Sequence, residues 1–521
     1  SSSYHSSRAP LAVLNHQMVG YEIRRCRATE EIASAGRAVF ATQAFKCGDI
    51  VLEDTPFLVC EAEDDLAAQW KCNAAAFAAA PAPIRAAVLD LLPEGVNGSH
   101  RLARLASTFV ESNVDAAEAP RLLEAILAFH LTSYQLEGAE QIGLFALVSK
   151  FNHSCSANAR GALRSPAAGS SYVYALRDIA LGEEITLCYL PSTERLRSAE
   201  ARREHLQAHK MFWCECPACS GLGGDLLRAV PCPRCHVRTD SGVLLGPAAA
   251  GDEGVSYAFF DMKSGSWRCG SCGEMWAGAE FWESCRIPPG EEERLGRAAN
   301  AYIRELESDC FYDSPNFSSW RELESSVSRT LGRRHYIALL LDLCMLDHYS
   351  LQLQEILRVG GNRDSTTLAA TAGTLEAYAL RVRDAWRRVS LALPGGMEEA
   401  APLLWQDLWN AASLLSAFGY LEAAHPLLDT MEPFARSCAR YALFSSGPEG
   451  GHAIGNCDQL TPRSGLAALA EQLNRCRAAA TASQVDKEAL RDQARKEPIL
   501  VLFRSVYFEG DGLQWSGNQK K

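Results

Sequence analysis

Cys214, Cys216 and Cys219 stand in a Cys-x-Cys-x-x-Cys spacing that constrains this chain more than any other feature. Such a knot is too compact for disulfides between all its members, whereas thiolates at these spacings can converge on one Zn²⁺ at ~2.3 Å each. Three thiolates leave a tetrahedral site one ligand short. Cys155 can supply the fourth, and Cys188 and His209 compete for the place. Closure by Cys155 would draw three stretches around one cleft. They are Phe151-Asn152-His153-Ser154-Cys155-Ser156-Ala157-Asn158, the strand Gly182-Glu183-Glu184-Ile185-Thr186-Leu187-Cys188-Tyr189, and Phe212-Trp213 with the knot itself.

A second cysteine set lies downstream. Cys232-Pro233-Arg234-Cys235 and Cys269-Gly270-Ser271-Cys272 are two knuckles whose backbone amides can donate to thiolate sulfurs, and together they close a zinc ribbon. Each set would be saturated by four protein ligands. Both zinc ions are therefore expected to be structural, because a catalytic zinc keeps a position open for water. His236, beside the ribbon, is read as a bystander. The chain holds 19 cysteines, an odd number. With no signal peptide visible, their grouping favours zinc over disulfides and an intracellular, reducing compartment.

At 521 residues the chain has room for roughly three to four domains. Its net charge of -12 disfavours direct nucleic-acid binding and suits basic partners such as lysine-rich protein segments. No apolar run reaches the ~18 residues that would span a membrane. The opening Ser1-Ser2-Ser3-Tyr4 lacks an initiator Met and reads as a scar or the cut edge of a longer protein.

Hydrophobic patterning divides the chain. Residues 20–60 read as strands: Gly36-Arg37-Ala38-Val39-Phe40-Ala41-Thr42, then Phe45 to Leu52 about a Gly48-Asp49 turn. Residues 61–140 form a helical insertion, with Leu122, Leu123, Ile126, Leu127 and His130 at helical spacing and Pro81, Pro83 and Pro93 as punctuation. Strands return over 141–195, through Tyr172 to Leu176 and a Gly182-Glu183 turn. Residues 193–210 are charged and helical, the knot occupies 196–222, and the ribbon and its linker occupy 223–290. Residues 291–521 are helical, broken by Pro-Gly turns at 288–290 and 394–396. One unit there, Leu408 to Leu415, Gly419-Tyr420 and Leu421 to Leu428, has the pattern of a tetratricopeptide-type helical hairpin. The expected fold class is α+β, with a β-rich domain that carries the helical insertion and the knot, a zinc ribbon and an all-α tetratricopeptide-like C-terminal domain.

The order Gly36-Arg37-Ala38-Val39, Asn152-His153-Ser154-Cys155, Gly182-Glu183-Glu184-Ile185 with Tyr189, and then the knot, resembles the SET-domain protein lysine methyltransferases. The Asn-His-Ser-Cys form, the long insertion and the helical tail are most similar to the SET-and-MYND branch. Two features depart from that branch. Only Cys60 and Cys72 lie in the insertion, so its MYND finger is absent, and a ribbon follows the post-SET knot. A MYND-less, ribbon-bearing chain of this kind also resembles the apical complex lysine methyltransferase type of apicomplexan parasites. Ala38 stands where the family carries the second glycine of its loop.

The resemblance implies S-adenosylmethionine as cofactor and a protein substrate carrying a target lysine. The amine must be neutral to attack, although free lysine has a pKa of about 10.4. A narrow apolar channel and a neighbouring sulfonium cation both disfavour the ammonium. Tyr189 is the implied catalytic residue, orienting the amine at the channel end. Arg37, Ala38, Val39, Asn152, His153, Tyr189 and Phe212 are the implied cofactor-binding residues. Arg37 would meet the cofactor carboxylate and Phe212 the adenine, with Trp213 as the alternative stacker. Tyr134 would line the lysine channel. Cys155, Cys214, Cys216 and Cys219 would hold one zinc ion, and Cys232, Cys235, Cys269 and Cys272 the other. A homodimer or protein partner would use the helical tail, and the resemblance places the protein in the cytoplasm, at the cytoskeleton or apical complex, before the nucleus. The alternative is a catalytically inactive scaffold, which Ala38 alone favours.

Overall fold

Glycine turns set the frame of the first domain. Gly48 and Gly182 adopt φ of +84° and +83°, a left-handed conformation that only glycine enters without strain. At the first, the Lys46 amide donates to the Asp49 carboxylate at 2.7 Å, so residues 46–49 form a turn. The turn expected at Gly48-Asp49 is present: Phe45 makes one bridge to Ile179 before it, and the strand after it starts at Ile50. At the second, Glu183 turns back on Ala180 and the chain enters the strand that ends before Tyr189.

The structure is a computed structural model. It describes residues 20–26, 36–93, 98–113, 118–136, 140–164, 171–220, 224–238, 255–307, 317–346 and 365–393, with a few isolated positions besides. The described chain divides into two compact units, Ser1–Glu194 with Glu200–Cys219, and Arg195–Ala199 with Ser220–Lys521.

In the first unit, β1 (Tyr21–Cys26), β2 (Gly36–Ala41), β3 (Ile50–Asp54) and β4 (Leu58–Glu61) lead to four helices. These are α1 (Leu66–Ala79), α2 (Ala82–Leu91), α3 (Arg101–Asn113) and α4 (Ala119–Thr132). Local chemistry fixes their starts. The Asp65 carboxylate caps α1 by accepting from the Ala68 amide at 2.8 Å, and proline stands in the first turns of α2 and α4. The four helices bury Trp70, Val88, Ala106, Ile126 and Phe129 in a core of their own. All four lie within residues 61–140.

After it come β5 (Tyr134–Gln135), β6 (Gln141–Leu144), a single 3₁₀ turn (Val148–Lys150), β7 (Asn152–His153), β8 (Ala159–Ala162), β9 (Ser171–Ala175) and β10 (Glu184–Leu187). Three small sheets result, in the orders β1-β2-β10-β7, β3-β9-β8 and β4-β6-β5. Alternation buries one face of each: Val39, Ile185, Leu187, Phe151, Val173 and Ala175 share one core. The first sheet is mixed. β10 runs antiparallel to β2, with Ile185 opposite Val39, and parallel to β7, with Thr186 opposite Asn152. The unit closes with α5 (Ser192–Arg195), α6 (Ala199–Lys210) and α7 (Pro217–Ser220), the last carrying Cys219, the third cysteine of the knot.

The second unit opens on β11 (Asp225–Pro231), β12 (Val237–Arg238), β13 (Leu244–Leu245), β14 (Tyr257–Asp261), β15 (Ser266–Cys269) and β16 (Met275–Ala277). Its antiparallel sheet has the order β11-β14-β15-β16, and a cysteine knuckle follows β11 and another closes β15. Trp267 stacks on Phe281 of α8 (Gly278–Ser284) with ring centres 4.1 Å apart. α9 (Glu291–Glu307) begins directly after the Pro-Gly turn, with Glu291, Glu292 and Glu293 at the positive end of its dipole. α10 (Phe317–Thr330), a helix over 336–346 and a long helix over Ser365–Ala392 complete the described array. The last of these ends at Ala392, and the Pro-Gly turn expected at 394–396 lies outside the described residues. The tetratricopeptide-type unit at 408–428 lies outside the described residues. Among the described residues, no helix is long and apolar enough to cross a membrane.

Candidate active site

The parallel pairing of β7 with β10 places Asn152 and His153 beside the strand that leads to Tyr189. Asn158 ties this crossing together from beneath. Its amide donates to Glu183 Oε1 at 2.9 Å and to the Glu184 carbonyl at 2.8 Å, and its Oδ1 accepts from the Thr186 amide at 2.8 Å. Only 2% of Asn158 is exposed, so these bonds are sheltered from water. Asn152 makes the second tie, from Nδ2 to Glu184 Oε1 at 2.8 Å.

His153 connects the cysteine cluster to Tyr189. Its Nδ1 accepts from the Tyr189 amide at 2.9 Å, which puts the ring proton on Nε2. Nε2 faces Cys155 Sγ at 3.3 Å. The Tyr189 hydroxyl donates to the carbonyl of Phe151, one residue before β7. Tyr134, the first residue of β5, hydrogen-bonds the same hydroxyl. Burial raises the pKa of both phenols, assisted at Tyr189 by the charge of Glu184. Both tyrosines therefore stay protonated near neutrality and act as hydrogen-bond donors, not as bases.

Phe212 completes this wall. Its ring lies 5.8 Å from that of His153 and meets Tyr189 edge-on at 6.4 Å. Trp213 faces outward, 46% exposed, with the Arg203 guanidinium over its ring. The turn that aims Phe212 inward is Met211, at φ +62°, a conformation unusual for a non-glycine residue. Asn152, His153, Tyr134, Tyr189 and Phe212 are all partly buried.

The knot stands behind them. The sulfurs of Cys155, Cys214, Cys216 and Cys219 all lie within 4.8 Å of one another. Cys155 Sγ is 4.0 Å from that of Cys214 and 3.5 Å from that of Cys219. Tetrahedral ligation at a zinc–sulfur distance of ~2.3 Å demands sulfurs about 3.8 Å apart, so the donor set fits the ion. Cys188 and His209 are not part of the cluster. The Cys155 amide donates to Cys216 Sγ at 3.4 Å, and the Arg202 guanidinium reaches Cys219 Sγ at 3.6 Å. A four-thiolate zinc carries a double negative charge, which this buried arginine opposes. Arg203 fastens the knot by donating to the Cys214 carbonyl at 2.7 Å.

The second set repeats the geometry. Cys232 and Cys272 sulfurs are 3.8 Å apart, and those of Cys235 and Cys269 are 3.9 Å apart. Amides of Cys235, Ser271 and Cys272 donate to sulfurs at 3.4 Å, as knuckles allow. His236 is engaged elsewhere, accepting from the Ser256 amide at 2.7 Å.

The loop residues lie differently. Ala38 and Val39 are fully buried in the middle of β2, and Val39 belongs to the core. Arg37 donates to the Asp90 carboxylate at 2.9 Å, and Lys150 shares that carboxylate at 3.0 Å. Asp90 belongs to α2, so the glycine loop is held against the insertion. Sequence reasoning missed Asn158, Asp90 and Lys210. Lys210 ends α6 with its ammonium 5.9 Å from the Tyr189 ring centre, and nothing in its run of charged neighbours singles it out.

Residues 36–190 match the family described as SET domain. The human histone-lysine N-methyltransferase SMYD3 is 33% identical over 118 residues, 21% of this chain and 26% of that protein. The mouse protein-lysine N-trimethyltransferase SMYD5 is 41% identical over 86 residues, 16% of this chain and 20% of that protein. The Arabidopsis thaliana histone-lysine N-methyltransferase ASHR1 is 30% identical over 131 residues, 25% of this chain and 24% of that protein. The chain spans about a third or less of the length of the curated relatives that it matches. The matched segment is the one that carries the crossed strands, the bracing asparagine and Tyr189, so residues 36–190 match a SET domain and the chain is similar to the SMYD proteins.

Proposed function

We propose that this chain is a protein-lysine N-methyltransferase that uses S-adenosylmethionine. One observation carries the reading. The Tyr189 hydroxyl is fixed to the Phe151 carbonyl and joined by Tyr134, and its ring packs against His153 and Phe212 beside Asn152. The matched relatives are named as lysine methyltransferases of histones or of proteins.

When bound, the cofactor supplies an electrophilic sulfonium methyl for in-line transfer to a lysine amine. The chain contributes alignment and exclusion of water. Phe212 and the backbone of Asn152 and His153 offer an aromatic face and polar groups for an adenine. Tyr134 and Tyr189 give two neutral hydroxyls at the place where an amine must be oriented. No base in the chain is needed, because the amine loses its proton to solvent before it attacks. The basic Arg37, shared with Lys150 across one Asp90, leaves a surplus of positive charge near the glycine loop. That surplus suits the cofactor carboxylate.

We assign zinc to both cysteine sets, each as a structural ion. The acidic chain suits a lysine-bearing protein substrate, the helical tail suits a partner or a second copy, and the cytoplasm is the proposed compartment. Calorimetric titration of S-adenosylmethionine, followed by methylation of protein arrays read by mass spectrometry, tests the reading. Binding with methyl-lysine formation is expected. Absence of both would sink the enzyme and leave the scaffold.

A further inference from the structure

Helix α6 ends on a lysine that the proposed reaction does not use. Lys210 Nζ donates to the main-chain oxygens of Leu131 at 2.9 Å and His130 at 3.3 Å. Both carbonyls belong to the last turn of α4, the negative end of its dipole, where a cation is favoured. The same ammonium lies 5.9 Å from the centre of the Tyr189 ring. Tyr134, whose hydroxyl meets that of Tyr189, follows α4 almost at once. The cation is therefore fixed on the wall that carries both tyrosines.

Few charges face it. His130 on α4 is neutral near pH 7, because burial and the charge of Lys210 and His209 bring its pKa down to about 4. His209 precedes it on α6. Tyr134 and Tyr189 remain protonated, and the carboxylate acting on Tyr189 is Glu184, which Asn152 already engages. Burial lowers the pKa of Lys210 itself to about 8, so it is mostly charged at neutral pH.

We propose that Lys210 is a positioning residue of the target-lysine channel, whose fixed ammonium makes the channel accept the incoming lysine in its neutral form. The proposal rests on the methyltransferase reading. Two amines brought together in apolar surroundings titrate as a pair. Lys210 has two carbonyl acceptors and keeps its proton; the incoming amine gives its proton to solvent. A unit charge some 6 to 7 Å away lowers a neighbouring amine by about one to two pH units at an effective dielectric of about 20.

The test is methyl transfer by the full chain to a protein substrate across pH 6 to 10, for wild type, Lys210→Met and Lys210→Arg. Cofactor binding is measured for each by calorimetry. In Lys210→Met the rising limb of kcat should move up by about one pH unit, a rate about tenfold lower at pH 7 that recovers at high pH. Lys210→Arg should keep the wild-type limb or lower it. A Lys210→Met profile lowered equally at every pH overturns the proposal and leaves Lys210 as a cap on α4. Should Lys210→Met fail to bind cofactor, Lys210→Arg decides, since an upward displacement of its limb overturns the proposal. Wild type that binds no cofactor and transfers no methyl group overturns the methyltransferase reading, and this proposal with it. Turnover with unmoved limbs overturns this proposal alone.

Discussion

Tyr189 is held at three points: its amide by His153, its hydroxyl by Phe151, and its ring among His153, Phe212 and Lys210. Replacing it by phenylalanine keeps the ring contacts and removes only the hydroxyl. Tyr189→Phe should therefore lower methyl transfer by about 100-fold or more, the scale seen when an orienting donor is lost, while S-adenosylmethionine affinity stays near wild type. Paired turnover and calorimetry measure this, and full activity would refute the role. Asn158 makes the opposite kind of prediction. Asn158→Ala leaves the Thr186 amide and the Glu184 carbonyl with an unmade bond each in a buried place, so denaturant melts should show a loss of about 2–4 kcal/mol. A loss under half a kcal/mol would mean that the crossing does not depend on this tie. These two residues also show what a sequence can disclose. Tyr189 was singled out by the family resemblance of the Gly182-Glu183-Glu184-Ile185 strand that leads to it. Asn158 and Lys210 were not, because their decisive partners are main-chain groups, which carry no signature in the sequence.

Among the elements, the knot was the most legible. Tetrahedral thiolate ligation limits which cysteines can share an ion, and spacing alone identified three of them. Folding chose Cys155 over Cys188 and His209 as the fourth, and that required β7 to lie beside β10. The chain from Cys155 through His153 to the Tyr189 amide implies that the first site matters to the cleft. Cys155→Ser should lower methyl transfer by about 100-fold through misplacement of the reacting groups. Elemental analysis should find two zinc ions per chain in wild type and one in Cys155→Ser. Unchanged turnover after loss of that ion would separate the knot from the site. The Gly48-Asp49 turn was legible from its residues: Gly48 takes the left-handed conformation, and the Asp49 carboxylate accepts from the Lys46 amide.

For the whole molecule, two units with separate cores should respond differently to acid. In the second, Glu292 accepts two bonds from Arg228, at 2.8 and 2.6 Å, and lies 3.2 Å from His335. Although burial opposes it, these partners bring the Glu292 pKa down to about 2 from 4.5. A depressed acid stabilises the fold above its unfolded pKa, and that stability disappears as pH falls through the folded one. About 3 kcal/mol should thus be lost between pH 4.5 and 2, and Glu292→Gln should flatten this part of the profile. Chemical denaturation followed over that range gives the measurement; an identical slope in the variant would remove Glu292 from the account. In the tail, α9, α10 and the helix over Ser365–Ala392 are helical as the patterning expects, while the tetratricopeptide-type unit at 408–428 lies outside the described residues.

The insertion has a consequence for how the chain finds its fold. Phe40 of β2 must meet Glu184 of β10, and α1 to α4 all lie on the stretch of chain between them. They roughly double the contour that has to close. Closure entropy grows only with the logarithm of contour, by about 0.6 kcal/mol per doubling. The helices also bring their own buried core, which can condense before the distant strands meet. An appendage of this sort is thermodynamically light and kinetically slow, because distant strand pairing delays folding. Relatives can therefore lengthen, shorten or exchange it with little loss of equilibrium stability, and the change should register in refolding rates.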